Sequence, residues 1–105
     1  MRKKADFDRA YARGKRISSA SFTIITCSAG QEVPRLGVTI PRSVGGAVVR
    51  NAVRRRLREA FRKNREAICA PLDIVIHVRP AAAGSRFADL EAEFLRAVGR
   101  IRPPA

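Results

Sequence analysis

Residues 35–62 read RLGVTIPRSVGGAVVRNAVRRRLREAFR, and this stretch decides the fold. Its opening places Leu36, Val38 and Ile40 at the two-residue period of a strand, on one face. Pro41 stops that strand, and Gly45-Gly46 opens a helix predicted over residues 46–68. At about 100° per residue, Val49, Val53, Leu57, Ala60, Phe61 and Ile68 gather on one side of the helix. Asn51, Arg54, Arg55, Arg58, Arg62 and Arg65 gather on another. Such a helix buries one stripe in a core and projects guanidiniums from the other.

Working outward, residues 21–27 (SFTIITC) are rich in β-branched side chains and predict a strand. Residues 28–34 contain Gly30 and Pro34 and predict a turn, so the strands at 21–27 and 35–40 are expected to pair as a hairpin. Residues 6–13 predict a short helix closed by Gly14, with Phe7 and Tyr11 sharing a face at i and i+4. Beyond Pro71, residues 73–79 (DIVIHVR) predict a third strand whose apolar run asks for burial on both faces. Ser85 is a suitable N-cap for a final helix over 86–100, with Phe87, Leu90, Phe94, Leu95, Val98 and Ile101 on one stripe. The order α-β-β-α-β-α makes a single α+β domain over residues 1–105, one sheet with helices packed on it.

The charge narrows the partner. The 105 residues carry 22 Lys+Arg against 9 Asp+Glu, a formal net charge of +13, and 18 of the basic residues are Arg. That balance points to an anionic partner, and guanidinium favours phosphate through its bidentate fork. Eight of the sixteen residues 50–65 are basic, and Glu59 is the single acid among them. A solvated face would interleave both signs. Here Arg50, Arg54, Arg58 and Arg62 repeat at i, i+4, which disfavours the free helix by a few tenths of a kcal/mol per pair. The arrangement suits a polyanion laid along the helix. Arg42 and the bare Gly45-Gly46 backbone before the helix add a weaker anion signal.

Several chemistries find no support. The basic start at Met1-Arg2-Lys3-Lys4 leads into no apolar run, so neither a signal peptide nor a membrane span is expected. Cys27 and Cys69 form no CxxC pair, and His77 is the one histidine, so the cysteines read as reduced thiols of a cytoplasmic protein. The acids are scattered and do not suggest the clustered carboxylates of an autonomous metal-dependent nuclease. On size and charge, a ribosomal protein or a general structured-RNA-binding module without processing activity fits as well as an RNA-processing subunit.

The motifs narrow the choice further. Residues 35–62 resemble the protein subunit of bacterial ribonuclease P, and the resemblance extends over most of the chain. It is carried by Phe7, Tyr11 and Gly14, by Arg35, Gly37 and Ile40, by the GGAVVRN run ending at Asn51, by Arg79-Pro80, and by Phe87, Leu90 and Phe94. The resemblance implies a ribosomal protein S5 domain 2-like sandwich with a left-handed βαβ crossover. It implies a ribonucleoprotein whose catalytic RNA holds Mg²⁺ and cuts the 5′ leader from precursor tRNA. It further implies that Arg42, Arg54, Arg55, Arg58 and Arg62 face the catalytic RNA. Phe7, Tyr11, Arg50 and Asn51 would meet the leader, with Asn51 near a metal ion that the protein does not hold alone. No catalytic residue of the protein, no membrane and no obligate protein partner are implied. The chain departs from the usual family pattern at Ala52 and Ser43, where a basic residue is common, and at Ile25, where many members carry an aromatic.

Overall fold

The structure is a computed structural model, and it describes Tyr11 and residues 14–28, 34–68 and 72–100. Four strands form one sheet: β1 (Lys15–Ser18), β2 (Phe22–Ser28), β3 (Arg35–Thr39) and β4 (Leu72–Val78), in the order β1-β2-β4-β3. Among the described residues, two α-helices, α1 (Ala47–Lys63) and α2 (Phe87–Val98), pack against it. One-turn 3-10 segments at Arg42–Val44, Arg65–Ala67 and Pro80–Ala82 join these elements.

The expected hairpin between the strands at 21–27 and 35–40 does not form. Instead β4 lies between them, antiparallel to β2 and parallel to β3. The reason is burial. Ile74, Val75, Ile76 and Val78 are fully buried, and only an inner strand covers both faces of such a run. The short strand β1 has no counterpart among the sequence expectations: KRIS has one apolar residue, too few to show a period, yet it pairs along its length with β2. The predicted helix over 46–68 ends at Lys63. There Asn64 turns its side-chain amide back, donating to the Ala60 carbonyl at 2.9 Å and to Glu91 at 3.0 Å. Ile68 still reaches the core, after the 3-10 turn. The last helix starts at Phe87, and Ser85 does not cap it, because its hydroxyl donates back to Ala81 O. The expected helix at 6–13 lies outside the described residues apart from Tyr11.

The sheet has two unlike faces. On one, Phe22 and Ile24 of β2, Ile74, Ile76 and Val78 of β4, and Leu36 and Val38 of β3 meet Val53, Leu57, Ala60 and Phe61 of α1 and Leu90, Phe94 and Val98 of α2. On the other, Ile25, Cys27 and Val75 form a small apolar floor under Tyr11. The same face carries Asp73, whose side chain is 1% exposed. Its cross-strand neighbour Arg35 grips both carboxylate oxygens, Nε to Oδ1 at 2.7 Å and Nη2 to Oδ2 at 2.8 Å. This bidentate pair fastens β3 to β4 at the start of the strands.

A second buried acid ties α2 to the sheet. Glu93 accepts the Ser21 backbone N–H at 2.7 Å. Burial pushes its carboxyl up, but hydrogen bonds from Ser19 and Ser21 and the charge of Arg96 outweigh this and hold it below the usual 4.5. A carboxyl held low when folded stabilises the fold above its unfolded value, and that contribution fades as pH falls through the folded value. Glu93→Gln is therefore expected to lower stability at neutral pH and to flatten the loss of stability as pH falls below about 4.5. Urea unfolding at several pH values measures this, and parallel curves for the two proteins would contradict it.

Candidate nucleic-acid interface

The outer face of α1 is built by the sequence period. Val53, Leu57, Ala60 and Phe61 are buried, so the residues half a turn away must face outward. Asn51, Arg54, Arg55, Arg58, Glu59 and Arg62 line one open groove there. Arg55, Arg58 and Arg62 are exposed. Arg54 is half-buried and donates to Asn51 Oδ1 at 3.2 Å, which orders the pair. Arg62 differs from its neighbours, since its Nε donates to Glu59 at 3.0 Å and its Nη2 pairs with the other carboxylate oxygen. The hydrogen bond from Arg62 holds Glu59 below the usual carboxylate range. Arg62 thus reaches the groove partly neutralised, while Arg55 and Arg58 have no carboxylate partner among the described residues.

Not every arginine of the run belongs to this face. Arg56 points to the other flank and donates to Ser85 O at 3.1 Å, locking α1 to the segment before α2. Arg50 sits beside the core stripe, half-buried, and its Nε is a buried donor with no hydrogen-bond partner among the described residues. Arg42 and Ser43 are exposed in the 3-10 turn that leads into the helix. Gly45 there has φ 154°, and a Cβ on it would lie 3.0 Å from Val49, so the approach requires glycine. No side chain caps the helix at Gly46 and no acid lies in its first turn. Val48, 83% exposed, lies in that first turn.

Tyr11 occupies the second face of the sheet. Its hydroxyl lies 3.3 Å from Thr39 Oγ1 and 3.3 Å from His77 Nδ1. Thr39 and His77 are register partners at the carboxyl ends of the parallel strands β3 and β4. From Thr39 the chain passes through Ile40 and Pro41 directly into Arg42 and the start of α1. The aromatic site is therefore joined to Arg42 by two residues and to the start of α1 by residues 40–46, at the carboxyl end of a parallel strand pair, where α/β folds commonly bind ligands. Arg16 carries a guanidinium to the same place, with Cζ 6.0 Å from the Tyr11 ring centroid. Arg79 closes the far side, donating to Ser19 O at 3.0 Å and Thr23 Oγ1 at 2.8 Å. Ile25 is fully buried in the floor under Tyr11. Phe7 lies outside the described residues.

Sequence reasoning missed Arg35–Asp73, the Tyr11–His77–Thr39 cluster and the anchoring role of Arg79. The acid in DIVIHVR and the basic start of RLGVT carried a faint signal for the first. Among the described residues, no group of three or more His, Cys, Asp or Glu side chains is placed to hold a metal ion. No helix among them is long and apolar enough to cross a membrane.

The family profile of Ribonuclease P matches residues 1–102. The chain belongs to the ribonuclease P protein family. A ribonuclease P protein component from Acidothermus cellulolyticus is 39% identical over 103 residues, covering 96% of this chain and 86% of the relative. Among solved structures, the RNase P protein from Thermotoga maritima in complex with 1-(4-fluorophenyl)-2-thiourea superposes with a TM-score of 0.91 at 28% identity, covering 97% of this chain and 99% of that one. The RNase P protein from Staphylococcus aureus gives a TM-score of 0.87 at 27% identity, covering 94% of this chain and 91% of that one. The α+β architecture is thus that of ribonuclease P proteins, and membership places the chain in a ribonuclease with an RNA-directed task.

Proposed function

We propose that the chain is the non-catalytic subunit of a ribonuclease P, binding a catalytic RNA on one side and the 5′ leader of precursor tRNA on the other. The observation that carries this reading is the placement of the arginine face of α1 and the Tyr11 site at the two ends of one short connection, residues 40–46. Arg54, Arg55 and Arg58 grip the phosphates of the catalytic RNA, assisted by Arg42 and, more weakly, Arg62. Phe7 and Tyr11 receive unpaired leader bases, since aromatic rings stack on any base. Arg50, in the first turn of α1, and Asn51, which lines the arginine groove beside Arg54, meet the leader where it leaves the cleavage site. The buried Arg50 Nε, which has no hydrogen-bond acceptor among the described residues, supports this, because such a donor favours an incoming phosphate or carbonyl.

The protein's residues bind and orient; they do not cut. Mg²⁺, held mainly by the RNA, supplies the activation of water and the stabilisation of the leaving oxygen. Asn51 serves at most as an outer contact to such an ion, since its Oδ1 already accepts Arg54. Hydrolysis leaves a 5′-phosphate on the mature tRNA and a 3′-hydroxyl on the leader. The place of work is the cytoplasm, where precursor tRNA is made.

Reconstitution tests the reading. The purified chain is expected to cleave nothing by itself and to restore precursor-tRNA cleavage by the catalytic RNA at low Mg²⁺. Equal rates with and without the chain at low Mg²⁺ would overturn the proposal. Recovery of ribosomal RNA, rather than one structured RNA, with the purified chain would point to a general RNA-binding module instead.

A further inference from the structure

His77 is the one histidine of the chain, in a strand whose other residues are apolar apart from Asp73, and the leader reading assigns it nothing. Its place in the fold is specific. It stands in β4 between its register partners Thr23 of β2 and Thr39 of β3, on the face that carries Tyr11. Its Nδ1 lies 3.3 Å from the Tyr11 hydroxyl, and the two rings meet edge to face at 82° with centroids 6.3 Å apart. Thr39 Oγ1 lies 3.3 Å from the same hydroxyl.

A phenolic hydroxyl has one proton to give and lone pairs to offer. With the Nδ1 lone pair free, Tyr11 donates to His77 and Thr39 donates to Tyr11. With Nδ1 protonated, His77 donates to Tyr11 and Tyr11 donates to Thr39. In either state the tip of Tyr11 is engaged twice by the sheet. The floor of Ile25, Cys27 and Val75 is apolar and has no direction of its own, so it sets the depth of the ring but not its angle. The hydroxyl bonds set the angle.

We propose that His77 is a positioning residue for the leader: with Thr39 it fixes the Tyr11 ring across the sheet, in the orientation that stacks on an unpaired leader base. This rests on the reading of Tyr11 as a leader contact. A consequence is that Tyr11 meets the leader through its ring and not through its hydroxyl. It therefore senses that a single-stranded leader is present more than which base it carries. Arg16, held near the ring by a 3.4 Å bond to Tyr11 O, is placed for the accompanying phosphate.

The test uses the chain reconstituted with its catalytic RNA, and two probes: precursor tRNA with a single-stranded leader, and mature tRNA with a 5′-phosphate. The readout is the ratio of the two affinities. Tyr11→Phe keeps the ring on its floor and removes the hydroxyl, and His77→Phe keeps a ring and removes Nδ1. Each is expected to lower the precursor preference by about three- to tenfold, the worth of one net hydrogen bond. The double variant is expected to be no worse than Tyr11→Phe alone, since the hydroxyl that His77 engages is already gone. His77→Gln, whose amide can reach the hydroxyl, is expected to recover most of the preference. Two independent, multiplying losses would overturn the proposal. So would Tyr11→Phe with unchanged preference beside Tyr11→Ala with preference abolished, a result that leaves the leader reading intact. An unchanged preference in Tyr11→Ala would instead defeat the leader reading itself, and this proposal with it.

Discussion

Replacing Arg54, Arg55, Arg58 and Arg62 together by alanine is expected to weaken binding of the catalytic RNA by on the order of a thousandfold. Each guanidinium–phosphate pair is worth about 1 kcal/mol here, below the range for buried charged hydrogen bonds because these side chains are wet. Arg62 contributes least, since Glu59 already neutralises part of its charge. The electrostatic signature separates this from misfolding. With about five phosphates neutralised, Arg42 included, the wild-type slope of log affinity against log salt lies near about −4. The variant's slope falls to about −1, since roughly one phosphate still has an arginine beside it. A slope that stays at the wild-type value would mean that this face does not meet phosphate. The fold is expected to survive or even gain, because the i, i+4 repulsion along the helix is relieved.

Arg35→Ala is the substitution expected to cost the fold most among surface-reaching residues. It withdraws two short, charge-assisted bonds from a carboxylate whose side chain is 1% exposed, while Arg35 itself is 37% exposed. Breaking a fully buried pair costs about 3–5 kcal/mol, and the wet side of Arg35 brings the expected loss to about 2–4 kcal/mol. For a domain of this size that lowers Tm by more than about 10 °C. Arg35→Lys is expected to recover only part, because an ammonium cannot offer the two-pronged fork that both oxygens of Asp73 accept. Thermal unfolding of the three proteins decides it. If Arg35→Ala melts within a degree or two of the wild type, Asp73 is not held by this pair.

The positions of the elements with a long period are legible in the sequence. The helix carrying Val53, Leu57 and Phe61 on one side and Arg55 and Arg58 on the other follows from 3.6 residues per turn alone. The last helix, carrying Leu90, Phe94 and Val98, follows in the same way. The apolar run of DIVIHVR announces an inner strand, and Ile74, Val75 and Ile76 are fully buried. The same run holds the clue against the expected hairpin: a strand buried on both faces needs a neighbour on each side, and β2 and β3 are the candidates. Adjacent strands pair locally by default because a short loop costs less entropy to close. Here the gain from covering β4 on both sides outweighs that preference. Ser85 illustrates the limit of local signals, since its hydroxyl finds Ala81 O instead of the helix start.

By itself, the sequence determined an α+β chain with one intensely basic helix face and, through its motifs, membership of a family that works with RNA. Those properties depend on residue type and spacing, which are fixed before folding. The tertiary structure alone decided that Asp73 meets Arg35, 38 residues away, and that Tyr11 meets His77, 66 residues away. It also decided which arginines of the run are turned to solvent and which, like Arg56, are spent on the neighbouring segment. Pairings of that span depend on strand order, and strand order depends on how the whole core is covered rather than on any one stretch of chain.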